Sequence, residues 1–287
     1  GFNLMQRFYP FLFVFLWSTG FIGAKYGLPY AEPLSFLLTR YGFVIALMTA
    51  IALATRAPWP KEPKQWLHIG VSGVLVHAIY LGGVFVAIKH GLPAGITALV
   101  VGMQPLLTAF GAGWLLGEKV SGRQWGGLAL GFVGVGLVVS GKLGDGALGP
   151  MLVPALIALL GITVGTLYQK RFCAKFDLRT GSVIQFVPTA VLTAIAVALY
   201  EDYKIEWTGQ FAFALGWLVL VLSIGAISLL NLLIRSGSAV NVASLFYLTP
   251  LSTALIAWVI FGEKLTLTAA FGMLLAVSGV YLVARAK

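Results

Sequence analysis

Carboxylates and thiols are scarce in this chain: Asp and Glu together number nine, and Cys173 is the single cysteine. One thiol can neither close an intrachain disulfide nor build a Cys-based metal site, so Cys173 reads as a small packing residue. No His-Glu-x-x-His spacing, no pair of membrane carboxylates, no Asp-rich diphosphate motif and no Gly-x-Ser-x-Gly occurs. Nucleophile, metal and acid–base pairs are therefore all missing, no metal or other cofactor is expected, and an intramembrane enzyme is a remote alternative. Charge of either sign is thin, at 10% of residues, against about 25% in a soluble domain. The net charge of +10 does not imply a nucleic-acid partner, because the Lys and Arg residues stand singly between apolar stretches instead of forming a patch. No linker, charge run or low-complexity segment divides the 287 residues, which reads as a single transmembrane domain over 1–287.

What the chain has in quantity is apolar sequence, 59% of residues with a mean hydropathy of +0.95, more than a water-soluble core could absorb. A helix crosses a bilayer with about 20 mostly apolar residues. Stretches of that length predict ten spans at 8–27, 34–54, 67–88, 94–116, 124–140, 150–169, 181–199, 211–233, 239–261 and 268–284. The first lacks an Ala-x-Ala cleavage pattern and is expected to be retained as a spanning helix. With ten spans, one side collects Arg7, Arg56, Lys61, Lys64, Lys119, Arg123, Lys170, Arg171, Lys175, Arg179, Arg235, Arg285 and Lys287. The other has Lys25, Lys89, Lys142, Lys204 and Lys264, and this asymmetry predicts that both termini are cytoplasmic.

Shifted by 145 residues against itself, the stretch from Ala94 to Lys142 aligns without a gap on Ala239 to Lys287, with roughly a third of pairs identical. Pro105 meets Pro250, Gly117-Glu118-Lys119 meets Gly262-Glu263-Lys264, Thr108 meets Thr253, Gly127 meets Gly272 and Gly134 meets Gly279; upstream, Arg40 falls on Gln185. Each repeat, about 8–142 and about 150–287, holds an odd number of spans, so the second enters the membrane from the opposite side. The expected fold is all-α and polytopic: ten transmembrane helices in two inverted five-helix repeats, the plan of alternating-access transporters.

The residues Trp17-Ser18-Thr19-Gly20 with Lys25, Pro33 followed by Arg40, and the two Gly-Glu-Lys ends resemble the drug/metabolite transporter superfamily, in particular its ten-helix EamA branch. The resemblance covers essentially the whole chain and is greatest to exporters of aromatic and other neutral amino acids. It implies a secondary transporter in a plasma (bacterial inner) membrane, with a small-molecule substrate and the lipid bilayer as partners, as monomer or homodimer. Nucleotide-sugar or sugar-phosphate antiporters and multidrug exporters of the same superfamily are the alternatives; the first would carry a cationic cluster, whereas Arg40 is the lone mid-depth cation here.

Polar groups at the midplane are costly unless they face protein or a wet cavity. Those placed there are Trp17, Ser18, Thr19, His77, Tyr80, Gln104, Thr108, Thr163, Ser223, Tyr247 and Thr249. Trp17, Ser18, His77, Tyr80, Gln104 and Tyr247 are the candidate substrate-binding residues, a set that could stack an aromatic solute and hydrogen-bond its polar end. Trp17, Tyr80 and Tyr247 could equally fill space between helices. Pro105 and Pro250 each remove a helix bond near a span centre and are candidate hinges. Glu118 and Glu263 read as loop anchors or gate elements. Arg40 must pair with something: it reads either as a fixed structural brace on Glu32 or a helix C-terminal carbonyl set, or as a contact to a substrate carboxylate. No carboxylate lies mid-span, which favours gradient-driven movement of a neutral or zwitterionic solute, with His77 as the one midplane group able to carry a proton near neutral pH. The Gly-rich span five is expected to permit close helix packing.

Overall fold

The computed structural model describes residues 2–92, 94–140, 150–173, 175–262 and 264–285. Helix follows helix, and the one isolated β-bridge among the described residues joins Ala31 and Ile205 across a loop. Span one is Phe2–Gly27, span two Pro33–Ala54, span three Pro63–Lys89, span six Leu152–Phe172, span seven Leu178–Tyr200, span eight Gly209–Ser236 and span ten Leu267–Arg285. Span nine comprises Ala239–Ser244, a 3-10 turn at Leu245–Tyr247 and Leu248–Phe261. Eight helices among the described residues are long and apolar enough to cross a membrane. The other two predicted spans are helical too. Span four is broken into Ala94–Val101 and Gln104–Leu115, and span five, Gly122–Ser140, is diluted by glycine.

Several helices begin before their apolar stretch does, because loop residues start them. Pro63 opens span three at a position where a missing N–H costs nothing. Asp177 caps span seven by accepting from the Arg179 and Thr180 amides. The Arg179 side chain also bonds Asp177 at 2.7 Å, and these bonds hold the carboxyl below its ordinary range.

Helix irregularities recur at repeat-related places. A π-helical segment occupies Val74–Ile79 in span three; shifted by 145 it falls on 219–224, inside the π segment Leu218–Ala226 of span eight. The break in span four precedes Pro105 and the 3-10 turn in span nine precedes Pro250. Gly117 and Gly262 end their helices at φ +65° and +66°, a left-handed conformation that glycine adopts without Cβ strain.

Spans five and ten touch through backbone. A Cβ on Gly134 would stand 2.5 Å from the Gly272 carbonyl oxygen, and one on Gly127 would stand 2.7 Å from that of Gly279. Gly127 corresponds to Gly272 and Gly134 to Gly279, so each position in one repeat meets the other's counterpart, as a two-fold relation demands. Among the described residues the buried apolar side chains fall into two large clusters and two smaller ones. The first large cluster centres on spans one, two, three, seven and eight around Phe36, Tyr80, Phe85 and Phe211, and reaches Val101 of span four, Ile162 of span six and Phe246 of span nine. The other joins spans four, five, nine and ten around Leu128, Tyr247 and Ala276.

Candidate functional site

Trp17 and Tyr80 come together as the sequence pattern suggested they could. Their rings stack at 5.8 Å between centroids with 20° between planes, and Phe246 meets Trp17 edge-on at 5.4 Å. Beside them lies a chamber of about 30 Å³ that Phe21, Arg40, Phe85 and Leu222 also line. Spans one, two and three of the first repeat and span eight of the second thus share it. The volume holds about one water, so this conformation is closed to a solute of amino-acid size.

Arg40 is 3% exposed. Its Nε donates to Ser223 Oγ at 2.7 Å, and no described carboxylate is in ion-pair contact with it. Glu32 is not its partner. The carboxylate nearest the start of span two in function is Glu201, which accepts from the Leu34 and Ser35 amides at 3.0 and 2.9 Å and from Ser35 Oγ at 2.8 Å. That arrangement satisfies a helix N-terminus.

Gln185, the counterpart of Arg40, is also buried but well partnered. Its Nε2 donates to Ser72 Oγ at 3.2 Å and Gln169 Oε1 at 3.5 Å, and its Oε1 lies 3.3 Å from His77 Nε2. The chain continues through Gln169 Nε2, which donates to Asn231 Oδ1 at 2.8 Å. Arg40 reaches the π segment of span eight at Ser223, and Gln185 reaches that of span three at His77. A π segment leaves carbonyls out of register, and Tyr41 Oη donates to one of them, His77 O, at 3.0 Å. His77 stacks on Phe186 at 4.2 Å, and its Nδ1 has no partner. The sequence reading missed Ser72, Gln169, Gln185 and Asn231 as a connected set; the signal available was amide side chains within apolar spans.

Ser18 Oγ donates to Val14 O at 2.7 Å and to Thr249 O at 3.3 Å, tying span one to span nine. Gln104 is fully buried at the break in span four with neither amide atom partnered, and Thr108, Thr249 and Thr253 hydroxyls are likewise unpartnered. Gln104 and Thr249 are repeat counterparts, as are Thr108 and Thr253, so each proline is flanked by the same pair of unsatisfied positions. Tyr247 stands apart from the chamber: its hydroxyl donates to Leu128 O at 2.8 Å, and a Cβ on Gly131 would meet its ring at 2.5 Å. Glu118 Oε1 accepts from the Ala239 amide at 2.9 Å, anchoring the start of span nine. Glu263 lies outside the described residues. Among the described residues no His, Cys, Asp and Glu group of three could hold a metal.

Comparisons with known proteins converge. The EamA-like transporter family matches twice, over residues 7–140 and 149–285, one match per repeat. The uncharacterized transporter YvbV of Bacillus subtilis (strain 168) is 28% identical over 94% of this chain and 88% of its own. A protein of Escherichia coli (strain K12) named as a probable amino-acid metabolite efflux pump is 27% identical over 94% and 92%. The uncharacterized inner membrane transporter YedA of the same strain is 26% identical over 89% and 83%. A crystal structure of a protein 23% identical superposes with a TM-score of 0.76 over 96% of this chain and 94% of that one, the same fold. With both family matches falling on the two halves that the internal repeat defines, this chain belongs to the EamA-like transporter family and is a membrane transporter, not an enzyme.

Proposed function

We propose that the protein is a secondary exporter of small neutral or zwitterionic metabolites, amino acids including aromatic ones among them, working by alternating access. The observation that carries this reading is the chamber of stacked Trp17 and Tyr80, built from spans of both repeats, since inverted-repeat transporters bind solute where their repeats meet. Stacked rings offer flat apolar faces to an aromatic side chain. Ser18 and His77 are on spans one and three, which wall the chamber, and Gln104 is on span four; none of the three lines the chamber in this conformation, and they are polar groups that an opened site could reach. Tyr247 is assigned to packing between spans five and nine, and Glu118 to the helix start it caps. The similarity to a protein named as an amino-acid metabolite efflux pump agrees with this substrate class.

Opening requires spans to part around the chamber, and the irregular segments of spans three, four, eight and nine are where helices bend most readily. No described carboxylate lines the chamber, which favours movement down the solute's own gradient over coupling through a carboxylate. The test is counterflow in proteoliposomes against labelled amino acids, sugars and nucleotides. Exchange of phenylalanine or tryptophan above that of nucleotides and sugar phosphates is expected; preference for a phosphorylated solute would overturn the reading.

A further inference from the structure

Arg40 is a guanidinium in the wrong company for a structural brace. It lies at a shared wall of the chamber, 3% exposed, with one neutral partner, Ser223. A buried cation without a counter-charge is costly. The fold itself does not need the charge: at the counterpart position of the second repeat, neutral Gln185 bridges spans seven and three with hydrogen bonds alone. The same architectural task is thus done once with an amide and once with a cation, and the cation is the one beside the chamber.

Resting on the transport reading above, we propose that Arg40 is the anchor for the carboxylate of the transported solute, and that the site reads a monocarboxylate attached to an apolar or aromatic body without reading an amino group. Nε is held by Ser223, which leaves the guanidinium's remaining donors for a planar anion in the geometry carboxylates favour. Trp17, Tyr80, Phe21 and Phe85 around it suit a hydrophobic body. A phosphate would call for a second cation, and the residues that line the chamber include none. They include no Asp or Glu either, so no carboxylate there pairs with an ammonium. The solute class therefore extends from amino acids to their deaminated acids.

The experiment uses the intact protein in proteoliposomes and detergent, with phenylalanine, 3-phenylpropionate, phenylalaninamide and phenethylamine as probes. Binding is followed by thermal shift, and transport by counterflow of labelled phenylalanine. The two acids are expected to bind wild type at least about tenfold more tightly than the amide or the amine, the scale of one charge-assisted hydrogen bond. Arg40→Gln copies the amide that the fold already accommodates at 185, and it is expected to equalise acid and amide while remaining folded. The wild-type panel decides alone if that variant does not fold. Counterflow of phenylalanine with equal competition by acid and amide overturns the carboxylate anchor and leaves the exporter reading intact. Binding of 3-phenylpropionate without counterflow of any amino acid overturns the exporter reading and leaves the anchor. Tightest binding by phenethylamine, or no binding by either acid, overturns the anchor.

Discussion

At the residue scale, the same chemistry serves different ends according to what surrounds it. Trp17 and Tyr80 face a chamber, whereas Tyr247 has its hydroxyl on Leu128 O and its ring against Gly131. Trp17→Ala and Tyr80→Ala are therefore expected to weaken aromatic solutes by roughly 1–3 kcal/mol, the worth of a buried aromatic group, and to spare alanine or threonine. Tyr247→Phe is expected to lower stability by about 0.5–1.5 kcal/mol, one hydrogen bond, without changing the ratio of phenylalanine to alanine transport. Counterflow normalised to reconstituted protein, with a melting curve for each variant, separates these outcomes. An unchanged ratio in the first two variants with falling folded yield would leave Trp17 and Tyr80 as packing residues. Which of three equally aromatic midplane positions faces a cavity was not legible from residue type and depth, since ring identity says nothing of the neighbour across the helix interface.

At the element scale, the irregular segments are what distinguish these helices from simple membrane rods. Pro105 and Pro250 were recognisable as matched positions, and the break and the 3-10 turn stand just before them. The π segments at Val74–Ile79 and Leu218–Ala226 carry no such signal, because neither contains proline and each is apolar but for a single polar side chain, His77 or Ser223. Pro105→Ala with Pro250→Ala is expected to slow turnover more than it weakens binding, since a straighter helix changes the transition between states and not the pocket. Stopped-flow exchange alongside equilibrium binding reads the two separately, and equal rates in wild type and double variant would make the prolines packing features. The contact between spans five and ten allows a sharper test. Gly134→Leu has no room, because even its Cβ would stand 2.5 Å from Gly272 O and Ala276 N. Loss of about 1–3 kcal/mol or more from overpacking, read as a fall in melting temperature, is expected there. Gly136→Leu, with nothing within 4 Å of its Cβ position, is expected to be tolerated.

At the scale of the whole molecule, duplication and inversion organise everything else. The two family matches, the crossed contacts of Gly127 and Gly134 with Gly279 and Gly272, and the paired π segments are one relation seen three ways. Opposite entry of the two halves places Arg40 and Gln185 each seven residues into its helix from the first residue of spans two and seven, Pro33 and Leu178. The Lys and Arg asymmetry predicts the orientation. Cysteines at Lys61 and Lys175 are expected to react with an impermeant thiol reagent from the cytoplasmic side, and those at Lys25 and Lys204 from outside. Labelling of Lys61 and Lys204 from the same face would sink the inversion and the span count together.

From hydropathy, spacing and self-similarity the sequence determined the helical segments, the repeat and the family, because burial of apolar length in lipid and a preserved period of 145 residues are properties of the chain read in one dimension. Span seven starts at Leu178, ahead of its apolar stretch, because a cap, Asp177, and not hydropathy, starts that helix. Only tertiary structure decided that Trp17 meets Tyr80 while Tyr247 does not, that Ser223 and not Glu32 holds Arg40, and that Gln185, Gln169 and Asn231 form one chain. Those are distances between residues far apart in sequence, set by how helices rotate about their own axes when two inverted halves close on each other.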